Sequence, residues 1–278
     1  MGRRIAVVTG ANQGLGFALV EGLAQRLTPD DVVYLTGRDA DRVRKAASQI
    51  AAPVAEVYPH VLDIRDAAAV DAFADQMIDS YGAVDIVFSN AAARLTPNTS
   101  WAELVTPFVD TNNLGTTRVL RSFSRILRPG GRLLVVASDF GTLRSLPDEL
   151  HGRFDTDSMS LDDVDSTMTA WRDAVLNGTA NDEGWPDWIN VPSKVGQVAA
   201  VRVVARERRQ TDLANGTLIA AVCPGLVDTA ASRPWFDNMD DAQTPADASI
   251  ELLRLALEPV RDAIYGELVQ FGRIVPWK

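Results

Sequence analysis

The stretch "IAVVTGANQGLGFALVEGL" (residues 5–23) constrains the chain more than any other. A short apolar run reaches glycines spaced Gly10-x-x-x-Gly14-x-Gly16, and helical periodicity begins directly after them. Such glycines permit a turn tight enough to join a buried strand to a helix. They also let an anion approach the backbone at the helix N-terminus, where N–H groups are free. The start of the chain is therefore expected to fold as strand, turn and helix. Gly10, Asn12, Gln13, Gly14, Leu15 and Gly16 are expected to cradle a pyrophosphate.

The same alternation continues downstream. "DVVYLTG" (31–37), "AEVYPHVLD" (55–63), "VDIVFSN" (84–90), "GRLLVVAS" (131–138) and "GTLIAAVCPG" (216–225) read as buried parallel strands, rich in Val, Ile and Leu with little polar alternation. Segments with helical spacing, such as "DAAAVDAFADQMIDSYG", separate them. The expected fold is α/β: one doubly wound, Rossmann-type parallel sheet with helices on both faces, spanning residues 1–278 as a single domain. Residues 142–190 break the rhythm. They contain no strand pattern but do contain an amphipathic helical segment, "LDDVDSTMTAWRDAVLNG" (161–178), so a helical lid inserted in the domain is expected.

Composition excludes several function classes. A net charge of −10 argues against a nucleic-acid surface. One cysteine, Cys223, and two distant histidines give no metal-ligand spacing, so no metal is expected. No apolar run approaches membrane-spanning length. The expected setting is cytoplasmic, with no membrane and no nucleic-acid partner.

The end of the second strand reads "YLTGRD", with Gly37 where a carboxylate would hold a ribose 2′-hydroxyl, followed by Arg38. Arginine there suits a 2′-phosphate, which points to NADP(H); the alternative is a solvated surface arginine. Asp63 and Ile64 follow the third strand and fall at the adenine, although Asp63 also suits a helix cap.

Taken together, these motifs resemble the short-chain dehydrogenase/reductase family, over essentially the whole chain. "TGANQGLG" matches the family's glycine motif, "SNAA" (Ser89–Ala92) partly matches its Asn-Asn-Ala-Gly motif, and "CPGLVDT" matches its Pro-Gly turn. The resemblance implies that Asn90, Ala91, Ala92, Pro224, Gly225, Val227, Thr229 and Lys194 touch the cofactor. It also implies catalytic roles for Asn112, Ser138 and Lys194. The lid, ending "NDEGWPDW", is similar to that of the monomeric carbonyl-reductase branch, which implies a monomer.

One departure stands out. The family's tyrosine is replaced by Asn190, four residues before Lys194. Tyr34, Tyr58, Tyr81 and Tyr265 all fall elsewhere in the pattern. Pro192 restricts where the helix carrying Lys194 can begin. Asn190 is then either a helix cap or, if the helix starts at Asp187, a side chain on the face of Lys194. An asparagine amide donates a hydrogen bond but does not titrate. A general acid is worth about 10²–10⁴-fold, whereas reactant positioning reaches about 10⁵–10⁸ M of effective molarity. Reduction can therefore survive the replacement.

Three readings follow. The first is an NADPH-dependent ketoreductase whose flat aromatic carbonyl substrate, a quinone or aromatic polyketide, protonates its own alkoxide. Ser138 and Asn190 would polarise the oxygen, and Asp139, Phe140, Trp185, Trp188, Trp235 and Phe236 would line the substrate cleft. The alternative for these rings, Trp171 included, is plain lid packing. An angucyclinone ketoreductase of antibiotic biosynthesis is similar in combining such a lid with a tyrosine-less site. In the second reading Asp139 donates the proton, which needs a raised pKa. The third is a non-catalytic NADP-binding, redox-sensing regulatory protein.

Overall fold

The computed structural model describes residues 2–259 and 262–278. Eight strands form one sheet in the order β3-β2-β1-β4-β5-β6-β7-β8. They are β1 (Ile5–Val8), β2 (Val32–Gly37), β3 (Glu56–Val61), β4 (Val84–Ser89), β5 (Leu127–Val136), β6 (Leu218–Cys223), β7 (Leu268–Gln270) and β8 (Arg273–Val275). All neighbours pair in parallel except β7 with β8. The winding reverses between β1 and β4, which opens a crevice beyond their carboxyl ends.

The expected α/β architecture is thus observed, with two differences. β3 is the sheet edge and largely exposed rather than buried, which is why it tolerates Pro59. The β7–β8 hairpin was not anticipated, because strands of three residues carry no readable period.

The helices begin and end where local chemistry allows. α1 (Gly14–Arg26) starts inside the glycine motif. α2 (Ala40–Gln49) is capped by Asp39, which accepts from Arg42 N at 3.0 Å. Asp66 caps α3 (Ala67–Tyr81), which stops at Gly82 with φ 78°. α4 (Trp101–Val109) opens with a Ser100/Glu103 capping box. It runs through one π turn (Asp110–Leu114) into α5 (Gly115–Ser124). α6 (Leu161–Asn177) has a Ser160/Asp163 capping box and ends at Gly178, also left-handed. α7 (Asn190–Ala214) and α8 (Pro245–Leu257) complete the set. α1 packs on α8, whereas α3, α5 and α7 lie side by side, and α6 lies against α4 and α7. No described helix is long and apolar enough to cross a membrane.

Candidate active site

Around the glycine motif the backbones approach so closely that side chains have no room. A Cβ at Gly10 would sit 2.6 Å from Ala91 Cα, and one at Gly16 2.6 Å from Gly10 O. Gly10 and Gly14 also adopt φ of 62° and 56°, open to glycine at little cost. Asn90 holds this loop from β4, its Nδ2 donating to Thr9 O at 2.9 Å and Gly10 O at 3.2 Å. Its amide is therefore spent on bracing the loop rather than free for a ligand. Gly14 lies 3.5 Å, from its notional Cβ, from Thr229 Cγ2, so the segment after β6 closes over the first turn.

A groove of about 520 Å³ runs along this loop and brings together Gly10, Asn12, Gln13, Arg38, Asp63, Ile64, Ala91 and Ala92. Gly14, Leu15, Gly16, Asn90, Lys194, Pro224, Gly225, Val227 and Thr229 are not among its walls. Arg42, which sequence reasoning missed, lines the same end as Arg38; it stands in the first turn of α2, whereas Arg38 directly precedes the cap Asp39. Arg38 makes no ion pair among the described residues, while Arg42 lies 3.8 Å from Asp39. A Cβ at Gly37 would meet Asn12 Oδ1 at 3.1 Å and Val43 Cγ2 at 3.0 Å. A carboxylate on a longer side chain there would have to displace its neighbours. Asp63 is held by Arg65, whose guanidinium bonds keep its carboxyl below the usual range. A dinucleotide carrying a 2′-phosphate fits these residues: a side-chain-free cradle for the pyrophosphate and an unpaired guanidinium for the third phosphate.

The second half of the site is built around the π turn. Asn112 is buried, accepting from Ala93 N at 2.8 Å. Its carbonyl accepts from Thr116 Oγ1 at 2.6 Å. Asn113 Nδ2 donates to Ser193 O at 2.8 Å and Asn113 Oδ1 accepts from Ser193 Oγ at 3.0 Å. Two successive asparagines thereby tie the end of β4 and the start of α7 to one helix. The Asn112 side-chain oxygen thus positions backbone, whatever further role the residue has.

Lys194 Nζ donates to Gln197 Oε1 at 2.8 Å, and Gln197 Nε2 donates to Thr116 Oγ1 at 3.1 Å. Some of the lysine's surface stays accessible, yet the surrounding protein desolvates its ammonium and lowers its pKa from 10.5 to about 8. Cys223, at the end of β6, is buried near it; burial pushes the thiol up. Ser138 and Lys194 meet at Gly141. A Cβ there would lie 2.9 Å from both Ser138 O and Lys194 O, and 2.6 Å from Val198 Cγ2. The loop after β5 can seat against α7 because residue 141 has no side chain.

Ser138 Oγ donates to Asp139 Oδ1 at 2.9 Å, and Phe140 N donates to the same carboxylate oxygen at 3.1 Å. Asp139 is exposed and accepts both bonds. Asn190 is the first residue of α7, so it is not the cap, and although the helix starts three residues after Asp187, Asn190 and Lys194 share one helix face as the other expectation had it. Pro192 takes the third helical position, where an N–H has no intrahelical partner in any case. Asn190 is half-buried, one turn before Lys194, with no protein hydrogen bond to its side chain among the described residues.

The four tyrosine hydroxyls have other partners. Tyr34 and Tyr81 hydroxyls pair at 2.9 Å, Tyr58 bonds Glu56, and Tyr265 is buried on Asp212 at 2.8 Å.

The aromatic residues divide. Trp185 is 3% exposed and packs with Phe154, Trp171 and the Arg153 guanidinium. Its assignment to the substrate cleft is corrected: it belongs to the interior of the 142–190 segment, as does the fully buried Trp171. Trp188 and Trp235 pack edge to face at 4.9 Å, joined by Trp101 of α4, which the sequence did not single out. Phe140 and Phe236 are exposed. Among the described residues no group of His, Cys, Asp and Glu is placed to hold a metal.

Comparison with known proteins decides the family. The short chain dehydrogenase model matches residues 4–147, from β1 to just beyond β5. The chain belongs to the short-chain dehydrogenase family. Carbonyl reductase (NADPH) 1 of Sus scrofa is 31% identical over 99% of the chain and 94% of its own length. Carbonyl reductase (NADPH) 3 of Rattus norvegicus is 30% identical over 99% and 98%. Among solved structures, salutaridine reductase of Papaver somniferum superposes with a TM-score of 0.79 at 22% identity, over 96% of this chain and 99% of that one. Menthone neomenthol reductase of Mentha piperita gives 0.76 at 21%, over 97% and 99%. These structures share the fold.

Proposed function

We propose that the chain is an NADPH-dependent ketoreductase for a flat aromatic ketone of the quinone or aromatic-polyketide type, angucyclinone-like, whose substrate helps protonate its own alkoxide. One observation supports this reading: the backbones of Ser138 and Lys194 are brought together at Gly141, and Asn190, whose side chain has no protein partner among the described residues, lies one helical turn before Lys194 where the family has its tyrosine. The relatives named as NADPH carbonyl reductases support the cofactor and the reaction class, as do the glycine cradle and Arg38.

The glycine cradle would hold the pyrophosphate, Arg38 and Arg42 the 2′-phosphate, and Lys194 with the turn at Pro224 and Gly225 the nicotinamide end. When bound, NADPH supplies the hydride. On the protein's side, Ser138 Oγ would turn from Asp139 to the carbonyl oxygen, and the Asn190 amide would donate a second hydrogen bond. The Lys194 ammonium keeps positive charge near the developing alkoxide below pH about 8. In this reading a phenol or enol beside the substrate carbonyl supplies the proton, as neither the Ser138 hydroxyl nor the Asn190 amide is an acid comparable with a phenol. Trp188, Trp235 and Trp101 suit a planar ring system. By the same resemblance the protein works as a cytoplasmic monomer.

The test measures NADPH oxidation against two panels, simple ketones and aldehydes on one side and hydroxyquinones and angucyclinone-like ketones on the other. Turnover is expected in the second panel, with Ser138→Ala only modestly slower and its NADPH affinity unchanged. Comparable turnover of simple ketones refutes the substrate-assisted step. Tight NADPH binding with no turnover in either panel would favour a regulatory protein instead.

A further inference from the structure

The β7–β8 hairpin turns through two residues, Phe271 and Gly272, between the paired Gln270 and Arg273. Both turn residues have positive φ, 47° and 71°. Positive φ at both positions is the type I′ turn, which favours Asn-Gly and disfavours a bulky side chain first. Phe271 carries a second cost at the same place, since its ring is 58% exposed. A left-handed aromatic residue with an exposed ring needs a reason outside the hairpin.

That reason lies in the turn after β6. Gly225 has φ 77°, and a Cβ on it would come within 2.7 Å of Phe271 Cζ. The ring therefore rests directly on the Gly225 backbone. Its neighbour Gln270 donates to Cys223 Sγ at 3.2 Å. Gln243 Nε2 donates to Pro224 O at 2.9 Å and lies, like the Phe271 ring, against the place of a Gly225 Cβ. Residues 223–225 are thus held by Gln243 and by the hairpin, where Gln270 meets Cys223 and the Phe271 ring meets Gly225. Phe140 after β5 and Phe236 after β6 are the other exposed phenylalanines at this end of the sheet.

We propose that Phe271 is a positioning residue: held in a strained turn, its ring props the Pro224–Gly225 backbone in the conformation that meets the nicotinamide end of the cofactor. This rests on the reductase reading. It predicts a separation that a merely structural residue would not show. Phe271→Asn gives the turn its favoured Asn-Gly pair, so the unfolding midpoint should stay or rise by about 2 °C. NADPH affinity should nevertheless fall several-fold and kcat/KM by roughly tenfold, the scale expected of a sub-ångström misplacement. Phe271→Tyr, which keeps the ring, should match the parent protein in all three.

NADPH affinity is read by fluorescence titration without substrate. Failure of this inference then differs from failure of the reductase reading, which would appear as absent turnover in the parent protein. Unchanged affinity and kcat/KM in Phe271→Asn would overturn the proposal. So would activity and midpoint falling together, which marks a fold-supporting residue, or a Phe271→Tyr variant as impaired as the asparagine one.

Discussion

Replacing Lys194 with methionine should make the protein more stable while removing its function. The ammonium has been taken largely out of water, and its pKa drops from 10.5 to about 8. At about 1.36 kcal/mol per pH unit, that drop corresponds to about 3 kcal/mol of destabilisation in neutral solution. Methionine has similar bulk and no charge. It leaves the buried Gln197 Oε1 without its partner, at a cost of about 1–3 kcal/mol, while Gln197 Nε2 keeps its bond to Thr116. The net gain at pH 7 is about 1 kcal/mol. The gain must also depend on pH in one direction. Between pH 8 and 10.5 the unfolded chain binds more protons at this lysine than the folded one, so parental stability rises with pH across that window. The methionine variant lacks this rise. Its advantage should be full below pH 8 and gone by about 10.5. Urea unfolding of both proteins at pH 7, 8, 9 and 10, with NADPH titration at pH 7, measures both effects. A stability difference that does not change with pH, or a variant less stable at pH 7, would refute the desolvation of Lys194.

Two further substitutions probe the walls of the site. Arg38→Ser should weaken NADPH binding by at least about tenfold while leaving NADH binding nearly unchanged, because the guanidinium is free for the 2′-phosphate; fluorescence titration with each cofactor distinguishes them. Gly141→Ala would push a methyl group against Lys194 O, Ser138 O and Val198 Cγ2. A loss of about 1–3 kcal/mol in urea unfolding is expected, together with a larger fall in kcat than alanine substitution of the exposed Gly152 produces.

The sequence revealed what strong local chemistry dictates. Glycines at 10, 14 and 16 are legible because no other residue fits there, and strands such as β1 and β6 because they are buried on both faces. What escaped is set by tertiary context. β3 reads like its buried neighbours, and only the sheet order makes it an edge. Trp185 and Trp188 are three residues apart in one segment, yet one is interior and the other joins Trp235 across the chain. Gly141 ends a turn whose Ser-x-x-Gly pattern is legible, its N–H donating to Ser138 O at 2.9 Å, but its approach to α7 exists only once both are packed. The π turn at 110–114 has the same residue types as an α-helix, so its one-residue shift is invisible in the period.

That shift also bears on where a proton can come from. It places the Asn112 carbonyl against Thr116, Thr116 against Gln197, and Gln197 against Lys194. A chain of hydroxyls and waters could pass a proton along such a line. A glutamine amide cannot, because it donates and accepts without titrating. Gln197 therefore fixes the ammonium and closes the route inward behind it. The Asn190 amide is equally unable to pass a proton on, and Asp139 faces solvent as an acceptor. In the proposed reading the proton comes instead from the open side of the cleft, from an acidic hydroxyl of the substrate beside the reacting carbonyl.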